Sequence, residues 1–153
     1  SGLIREQALA RFERDYADEA LVMDKWFSLQ ATAHRLDAQA PVLQSVRRLM
    51  QHPAFSLRNP NKVRALVTAF CTGNLAEFHA TDGAGYDFWV EQVIALDGLN
   101  PQLAARLGRA LDRWRKFTPD RQRLMRGALE RVAAHPGLSR DLGEIVGKAL
   151  ASS

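Results

Sequence analysis

The chain has 153 residues, of which 46% are hydrophobic and 25% charged, and its formal net charge is +4. This length suits one ordinary domain with a single core, and we predict one domain over residues 1–153. No apolar run approaches the roughly 18 residues that a membrane-spanning helix needs, and the first residues lack the pattern of a signal peptide. We therefore expect a chain that has no membrane partner.

A single cysteine, Cys71, excludes an internal disulfide and offers no second thiol for a metal site. A reducing, cytoplasmic location fits this cysteine usage. Ser1 and Gly2 run straight into a helical pattern without an initiator Met. We interpret these two residues as an expression remnant, and ordinary removal of the initiator Met is the alternative.

The composition favours helices over strands. Leu and Ala together total 43 residues, whereas Val, Ile and Thr total 17. Straight-chain and small side chains lose little conformational entropy in a helix, while β-branched residues prefer strands. The sequence therefore predicts an all-α protein.

The first half of the chain predicts four helices from apolar residues at helical spacing. Pro41 opens the third helix and His52-Pro53 closes it, because Pro disfavours helix in the residue before it. Asn59-Pro60 starts the fourth, since Asn caps helices and Pro is tolerated at the first position. The residues predicted to point inward are, helix by helix, Ile4, Ala8, Phe12 and Tyr16; Val22, Trp26 and Leu29; Val42, Val46 and Leu49; and Val63, Leu66, Val67 and Phe70.

The second half predicts five more helices. A short helix over about residues 75–80 precedes a turn at residues 82–85, and the next helix runs from near Tyr86 to Asp97-Gly98. Asn100-Pro101 and Thr118-Pro119 open the following two helices, and a ninth begins after residues 135–137. The residues predicted to point inward are Trp89, Val93 and Leu96; Leu103, Leu107, Ala110, Leu111 and Trp114; Leu124, Ala128, Leu129 and Val132; and Leu142, Ile145, Val146 and Ala149.

A weak internal repeat indicates how these helices are arranged. Asn59-Pro60 recurs 41 residues later as Asn100-Pro101, and the segment at 52–56 recurs 83 residues later at 135–139. Both intervals fit a unit of about 41 residues, as in HEAT and armadillo repeats, in which helical pairs bury their apolar faces by stacking. We predict a right-handed superhelical stack, an α-solenoid, of about eight to nine helices in antiparallel pairs. A closed bundle is the alternative.

No catalytic or metal-binding motif is present. The four histidines are followed by Arg35, Pro53, Ala80 and Pro136, so no H-E-x-x-H motif exists. His79 with Asp82 and Asp87 is a conceivable ligand cluster, but a turn with capping carboxylates is the preferred interpretation. We assign no catalytic residue, no metal ligand and no cofactor to this chain.

A cationic stripe is the most distinctive surface feature. Eight arginines fall between Arg106 and Arg131. On a continuous helix after Pro101, Gln102, Arg106, Arg109 and Arg113 would share the face opposite the apolar residues. Such a face is either simply solvated, softened by Asp112, or presents guanidinium groups to carboxylates or phosphates.

Arg64 lies on the equivalent helix after Pro60 and could extend this surface. The arginine cluster also admits a basic helical-repeat module that binds nucleic acid, or a scaffold that binds a protein partner. The cluster lacks interleaved aromatic residues and any groove-reading motif, so nucleic acid is the disfavoured partner.

Several segments together resemble one protein family. They are residues 21–31, 59–64, 78–86 and 100–106, and they occur in the family's order. The chain, from about Arg5 to Ala151, resembles the C-terminal domain of bacterial-type aminopeptidase N, in the M1 or gluzincin metallopeptidases.

The resemblance implies a non-catalytic domain that closes over the active-site chamber of a zinc aminopeptidase and limits access to small peptides. The zinc and the catalytic residues would belong to a catalytic domain of the same polypeptide, so this chain alone is not expected to be an enzyme. Gln102 and Arg106 resemble family residues that contact the distal part of a bound peptide, and Arg64 is the weakest candidate.

Overall fold

A computed structural model describes residues 4–9, 20–35 and 41–151. Within these ranges the chain is helical and contains no strand, which confirms the all-α prediction. No helix in the described part of the chain combines the length and apolar character needed to cross a bilayer. The helices are α1 (residues 4–9), α2 (Ala20–Ala31), α3 (Val42–Leu49), α4 (Pro60–Val63), α5 (Leu75–Phe78), α6 (Ala84–Asp97), α7 (Pro101–Gly108), α8 (Pro119–Ala133) and α9 (Arg140–Ala151).

Two helices change type along their length. A π-helix, Arg64–Gly73, continues α4, and 3-10 turns at Arg109–Leu111 and Trp114–Lys116 follow α7. The chain divides into two compact units, residues 1–77 and 78–153. The single domain over residues 1–153 stays a prediction, and Ser1 and Gly2 lie outside the described residues.

In the first unit, α2 packs against α3, α4 and the π-helix. Its core contains the residues predicted for the third and fourth helices, all of them at most 7% exposed. The amphipathic pattern identified the buried face correctly there, because each of those helices has one clearly apolar face. The confirmed core positions are Val42, Val46, Leu49, Val63, Leu66, Val67 and Phe70.

The predicted inward faces of the first two helices were partly wrong. Leu29 is 53% exposed and Ile4 is 66% exposed, whereas Met23 and Phe27 fill the core beside Trp26. Helix α2 is apolar around much of its circumference, so spacing alone could not select the face that packs. Ala8 is also exposed and Val22 is half-buried, while Phe12 and Tyr16 lie outside the described residues.

In the second unit, two helical hairpins stack on each other. Helix α6 packs against α7, and α8 packs against α9. In turn α6 contacts α8 and α7 contacts α9, so equivalent helices of successive pairs meet. This is the arrangement predicted for stacked repeats, because each pair covers its apolar face with the next. Of the residues predicted to point inward here, Ala110, Leu124 and Ile145 are only half-buried.

One buried carboxylate joins the two hairpins of this unit. Asp97, at the end of α6, is 8% exposed and accepts hydrogen bonds from the hydroxyl and main-chain N–H of Ser139. The Ser139 hydroxyl oxygen also accepts from the N–H of Leu142, which caps the start of α9. The end of one helix therefore fixes the beginning of another.

Candidate functional site

Helix α7 presents the two residues that the sequence singled out. The Asn100 side chain caps its start by accepting from the N–H of Leu103 at 3.1 Å, and Pro101 occupies the first turn. Leu103 is buried, whereas Gln102 and Arg106 are exposed. Since they are four residues apart within one α-helix, they share a face.

The predicted continuous stripe of four residues is wrong beyond Arg106, because α7 ends at Gly108. Arg109 lies in a 3-10 turn and Arg113 just before another, so α-helical spacing no longer relates them to Gln102. All four side chains are nevertheless exposed. The face that α7 itself displays consists of one amide and one guanidinium.

Two tertiary contacts coincide with the end of α7. The indole N–H of Trp89 donates to the main-chain carbonyl of Leu107 at 2.8 Å, in the buried interior. A carbonyl that bonds to a side chain from outside is drawn away from the helix ladder. At Gly108 a Cβ atom would lie 2.8 Å from Cδ1 of Leu142, so α9 approaches α7 closely there.

The segment after α7 donates hydrogen bonds to the carbonyl groups at the end of α9. The indole N–H of Trp114 and the guanidinium of Arg115 both donate to the carbonyl of Ala149, at 2.9 and 3.0 Å. Arg115 also donates to the carbonyl of Leu150 at 3.0 Å and lies over the Trp114 ring. These contacts satisfy carbonyls that a helix end otherwise leaves without partners, and place a cation there.

Most of the arginine cluster is engaged in similar ways. Ion pairs join Arg109 to Asp112, Arg123 to Asp120, Arg126 to Glu130 and Arg131 to Asp87. Arg115 and Arg121 donate to main-chain carbonyls. Of the eight, only Arg106 and Arg113 have a guanidinium group with no hydrogen-bond or ion-pair partner among the described residues. Six of the eight arginines therefore have structural partners, and a nucleic-acid partner stays the disfavoured alternative.

The surroundings of Asp112 shift the pKa of its carboxyl group. Burial raises the pKa of its carboxyl group, and the nearby Arg109 guanidinium partly opposes that rise. The two side chains are 3.8 Å apart and substantially exposed, so their attraction is screened by solvent. Arg106 has no such carboxylate in the part of the chain that the structure describes, which leaves its charge available to a ligand.

Arg64 lies in the other unit, residues 1–77, where it opens the π-helix. Its guanidinium donates to the side-chain oxygen of Asn61 at 3.2 Å and is exposed. The structure thus gives Arg64 a local partner, and its membership of a common surface with Arg106 stays a prediction.

A hydrogen-bonded aromatic cluster in the second unit escaped the sequence analysis. The Tyr86 hydroxyl lies 2.7 Å from Nδ1 of His79, and the His79 ring stacks on Phe117 with centroids 4.5 Å apart. Burial, reinforced by the Arg121 guanidinium, lowers the pKa of His79, while burial raises the pKa of Tyr86 to about 12. Both shifts favour the neutral forms, so a neutral imidazole and a neutral phenol share this hydrogen bond.

Backbone contacts hold this cluster in place. Arg121 donates from Nε to the carbonyl of His79 at 2.8 Å. At Gly85 a Cβ atom would lie 2.1 Å from the carbonyl oxygen of Phe78, so only glycine permits the close approach. The aromatic residues spaced across 78–86 were a sequence signal for such a cluster, but the contribution of Arg121 came from another helix.

Of the two acidic residues near His79, Asp82 serves the turn as expected, whereas Asp87 forms an ion pair. Asp82 accepts from the main-chain N–H of Ala84 at 3.0 Å at the start of α6, and Asp87 pairs with Arg131 at 2.7 Å. The described residues include no group of three His, Cys, Asp or Glu side chains that could hold a metal ion.

Cys71 is 2% exposed in the π-helix, and burial raises the pKa of its thiol far above the usual range. A thiol held protonated in an apolar interior behaves as a small hydrophobic side chain. Cys71 is thus part of the core of the first unit.

Comparison with known proteins identifies what this fold and surface are similar to. A family model described as a domain of unknown function (DUF3458_C), ARM repeats, matches residues 1–151. Aminopeptidase N of Haemophilus influenzae is 47% identical over 97% of this chain, and that of Caulobacter vibrioides is 44% identical over 97%. Each alignment covers 17% of the relative, in its C-terminal region.

A solved structure shows the same architecture. The crystal structure of Legionella pneumophila aminopeptidase A in complex with aspartic acid aligns with a TM-score of 0.86 and 34% identity. The alignment covers 95% of this chain and 16% of that one. The chain therefore spans about a sixth of the length of the proteins that it matches.

Proposed function

Since the chain belongs to the DUF3458_C family of ARM-repeat domains, we propose that it is the non-catalytic C-terminal domain of an aminopeptidase and covers the active-site chamber. The observation that carries this proposal is the pattern of coverage. Similarity extends over 97% of this chain but over only 17% of its aminopeptidase relatives. The rest of such a protein would supply the chemistry, and this domain would control which peptides enter.

The proposal assigns the zinc of an M1-type enzyme to a catalytic domain of the same polypeptide in the cytoplasm. The four histidines of this chain stand outside any H-E-x-x-H motif, which would place two imidazoles one turn apart on a helix. The partners of this domain are then the catalytic domain and the peptide substrate.

Gln102 and Arg106 are the proposed peptide contacts. Both are exposed on one face of α7, and Arg106 lacks a carboxylate partner among the described residues. A planar guanidinium can bind the C-terminal carboxylate of a short peptide through two parallel hydrogen bonds. Within an enclosed chamber of low dielectric constant this attraction strengthens, which would favour short peptides.

Substrates with and without a free carboxylate test the role of Arg106. In a full-length enzyme, Arg106→Ala is expected to lower kcat/KM for a tripeptide by roughly tenfold to a hundredfold, the equivalent of a lost charge-assisted hydrogen bond. Hydrolysis of the corresponding tripeptide amide should change much less. Arg140→Ala, which removes another exposed arginine charge, from α9, is the control. Unchanged kcat/KM for the tripeptide would contradict the assignment.

Recombining the two parts tests the domain's role as a whole. The chain would be mixed with the separately produced catalytic portion, and hydrolysis of an amino-acid anilide and of peptides of increasing length would be measured. We expect no hydrolysis by the chain alone, and a shift of selectivity towards short peptides in the mixture. Identical selectivity with and without a bound domain would show that it does not control access.

A further inference from the structure

A cavity of about 560 Å³ lies in the first unit, away from α7. Its walls come from α1, α2, α3 and the segments that flank them, and they include Arg5, Trp26, Arg48, Leu49 and His52. This volume is within the range of small-molecule sites. The lining combines apolar side chains with a few polar groups, which is the usual character of such sites.

The charges around this cavity nearly cancel. Arg35 forms two hydrogen bonds of 3.0 Å with the carboxylate of Glu77, and Glu6 offsets the formal charge of Arg5 on the lining. Arg48 remains, and its guanidinium has no hydrogen-bond or ion-pair partner among the described residues. Apart from its histidines, the cavity thus has one uncompensated positive charge, which matches a monoanion better than a polyphosphate.

Trp26 supplies a second, independent indication of a ligand. The chain has three tryptophans, and the indole N–H groups of Trp89 and Trp114 each donate to a main-chain carbonyl. Trp26 is only 5% exposed, yet its indole N–H has no acceptor among the described residues. A buried donor without a partner is costly, so an acceptor brought to the cavity wall by a ligand would be favoured.

We propose that this cavity binds a small monocarboxylate with an apolar body. Arg48 would bind the carboxylate, and a small adjustment of the wall would let a ligand oxygen accept from the Trp26 indole. Leu9, Val42 and Leu49 would cover the apolar part. The site goes beyond the proposed peptide contacts on α7, and neither assignment depends on the other.

Indole N–H cross-peaks in a ¹H–¹⁵N NMR titration of the chain provide the test, with benzoate as the probe. We expect the Trp26 cross-peak to shift and saturate, while those of Trp89 and Trp114 stay fixed and report an intact fold. Benzamide has the same shape without the charge, and it should bind about tenfold more weakly. Equal binding of benzamide, or a stationary Trp26 cross-peak, would overturn the proposal.

Variants separate the specific site from general attraction of anions. Arg48→Gln should weaken benzoate binding by about tenfold or more, whereas Arg58→Gln, an equally exposed change outside the cavity, should not. Arg48→Lys keeps the charge without the planar fork and should bind with intermediate affinity. Equal affinities in the Gln variants would overturn the proposal, as would inorganic phosphate binding more tightly than benzoate.

Discussion

Helices α4 and α7 begin identically and then diverge. Each begins at the Pro of an Asn-Pro pair. The Asn side chain accepts a hydrogen bond from a main-chain N–H of the first turn, at 3.0 Å for Asn59 and 3.1 Å for Asn100. After this common start, α4 widens into a π-helix of ten residues, whereas α7 tightens into a 3-10 turn after eight. The local start signal therefore fixes where a helix begins but not how it continues.

The third residue after each cap already differs in chemistry. Lys62 and Leu103 occupy this position, and both are 5% exposed. The Lys62 ammonium pairs with Asp24 at 2.6 Å and lies 5.9 Å from the centre of the Phe27 ring. One helix is thus anchored in its core by an ion pair and the other by ordinary apolar packing.

Side chains of neighbouring helices reach the second turn of both. The Ser28 hydroxyl donates to the carbonyl of Ala65 at 2.9 Å, and the Trp89 indole donates to that of Leu107 at 2.8 Å. Such donors interrupt the regular ladder of main-chain hydrogen bonds. The continuation of each helix is therefore set by what packs against it.

The largest expected effect follows from breaking the anchor of α4. Asp24→Ala would remove the carboxylate that pairs with the buried Lys62 ammonium, and we expect a loss of about 3 kcal/mol in the free energy of unfolding. Urea denaturation measures it. Asp24→Ala combined with Lys62→Met, which makes α4 resemble α7, should regain most of the loss. An unchanged free energy of unfolding in the Asp24→Ala variant would show that the ion pair contributes nothing to stability.

Removing the donor that reaches α7 should have the next largest effect. Trp89→Phe deletes the hydrogen bond to Leu107 and part of a buried ring, for a loss of about 2 kcal/mol. We also expect slower amide exchange at Leu111, because α7 could continue as an α-helix. Trp114→Phe is the control, since its indole serves the end of α9. Unaltered exchange at Leu111 would contradict the role given to Trp89.

The two caps should be equivalent. Asn59→Ala and Asn100→Ala are each expected to cost about 1 kcal/mol, because both remove an acceptor for N–H groups at a helix start. Replacement by Asp, which keeps the acceptor, should cost less. A clear difference in unfolding free energy between the two Ala variants would show that tertiary contacts reach even the first turn.

The smallest effect is expected at Ser28. Ser28→Ala removes one partly buried hydroxyl donor, for a loss of about 0.5 kcal/mol, and should let the π-helix relax towards α-helical bonding. Amide exchange across residues 64–73 would report that change. Thr32→Ala is a suitable control, since its hydroxyl donates to the main-chain carbonyl of Ser28 in the preceding helix α2 and not to the π-helix. Identical exchange in the Ser28 variant would leave the π-helix without this cause.

The candidate site shows the same division between local and tertiary information. The exposure of Gln102 and Arg106 followed from the spacing of Leu103 and Leu107. A helix that buries these two leucines on one face leaves the face of Gln102 and Arg106 in solvent. The extension of that face to Arg109 was wrong, since it assumed a helix that Trp89 and α9 interrupt. The sequence also did not show that the Trp26 indole N–H has no acceptor among the described residues, because it gives no information on acceptors from other segments.

By itself the sequence determined the all-α class, the helix starts and most of the core, because caps, prolines and apolar spacing act over a few residues. The tertiary structure decided the face on which α2 packs, the lengths of α4 and α7, and the distant partners of Arg115, Arg121 and Arg131. Each of these depends on a hydrogen bond or a close contact between residues far apart in the chain. Such interactions exist only once the helices have stacked.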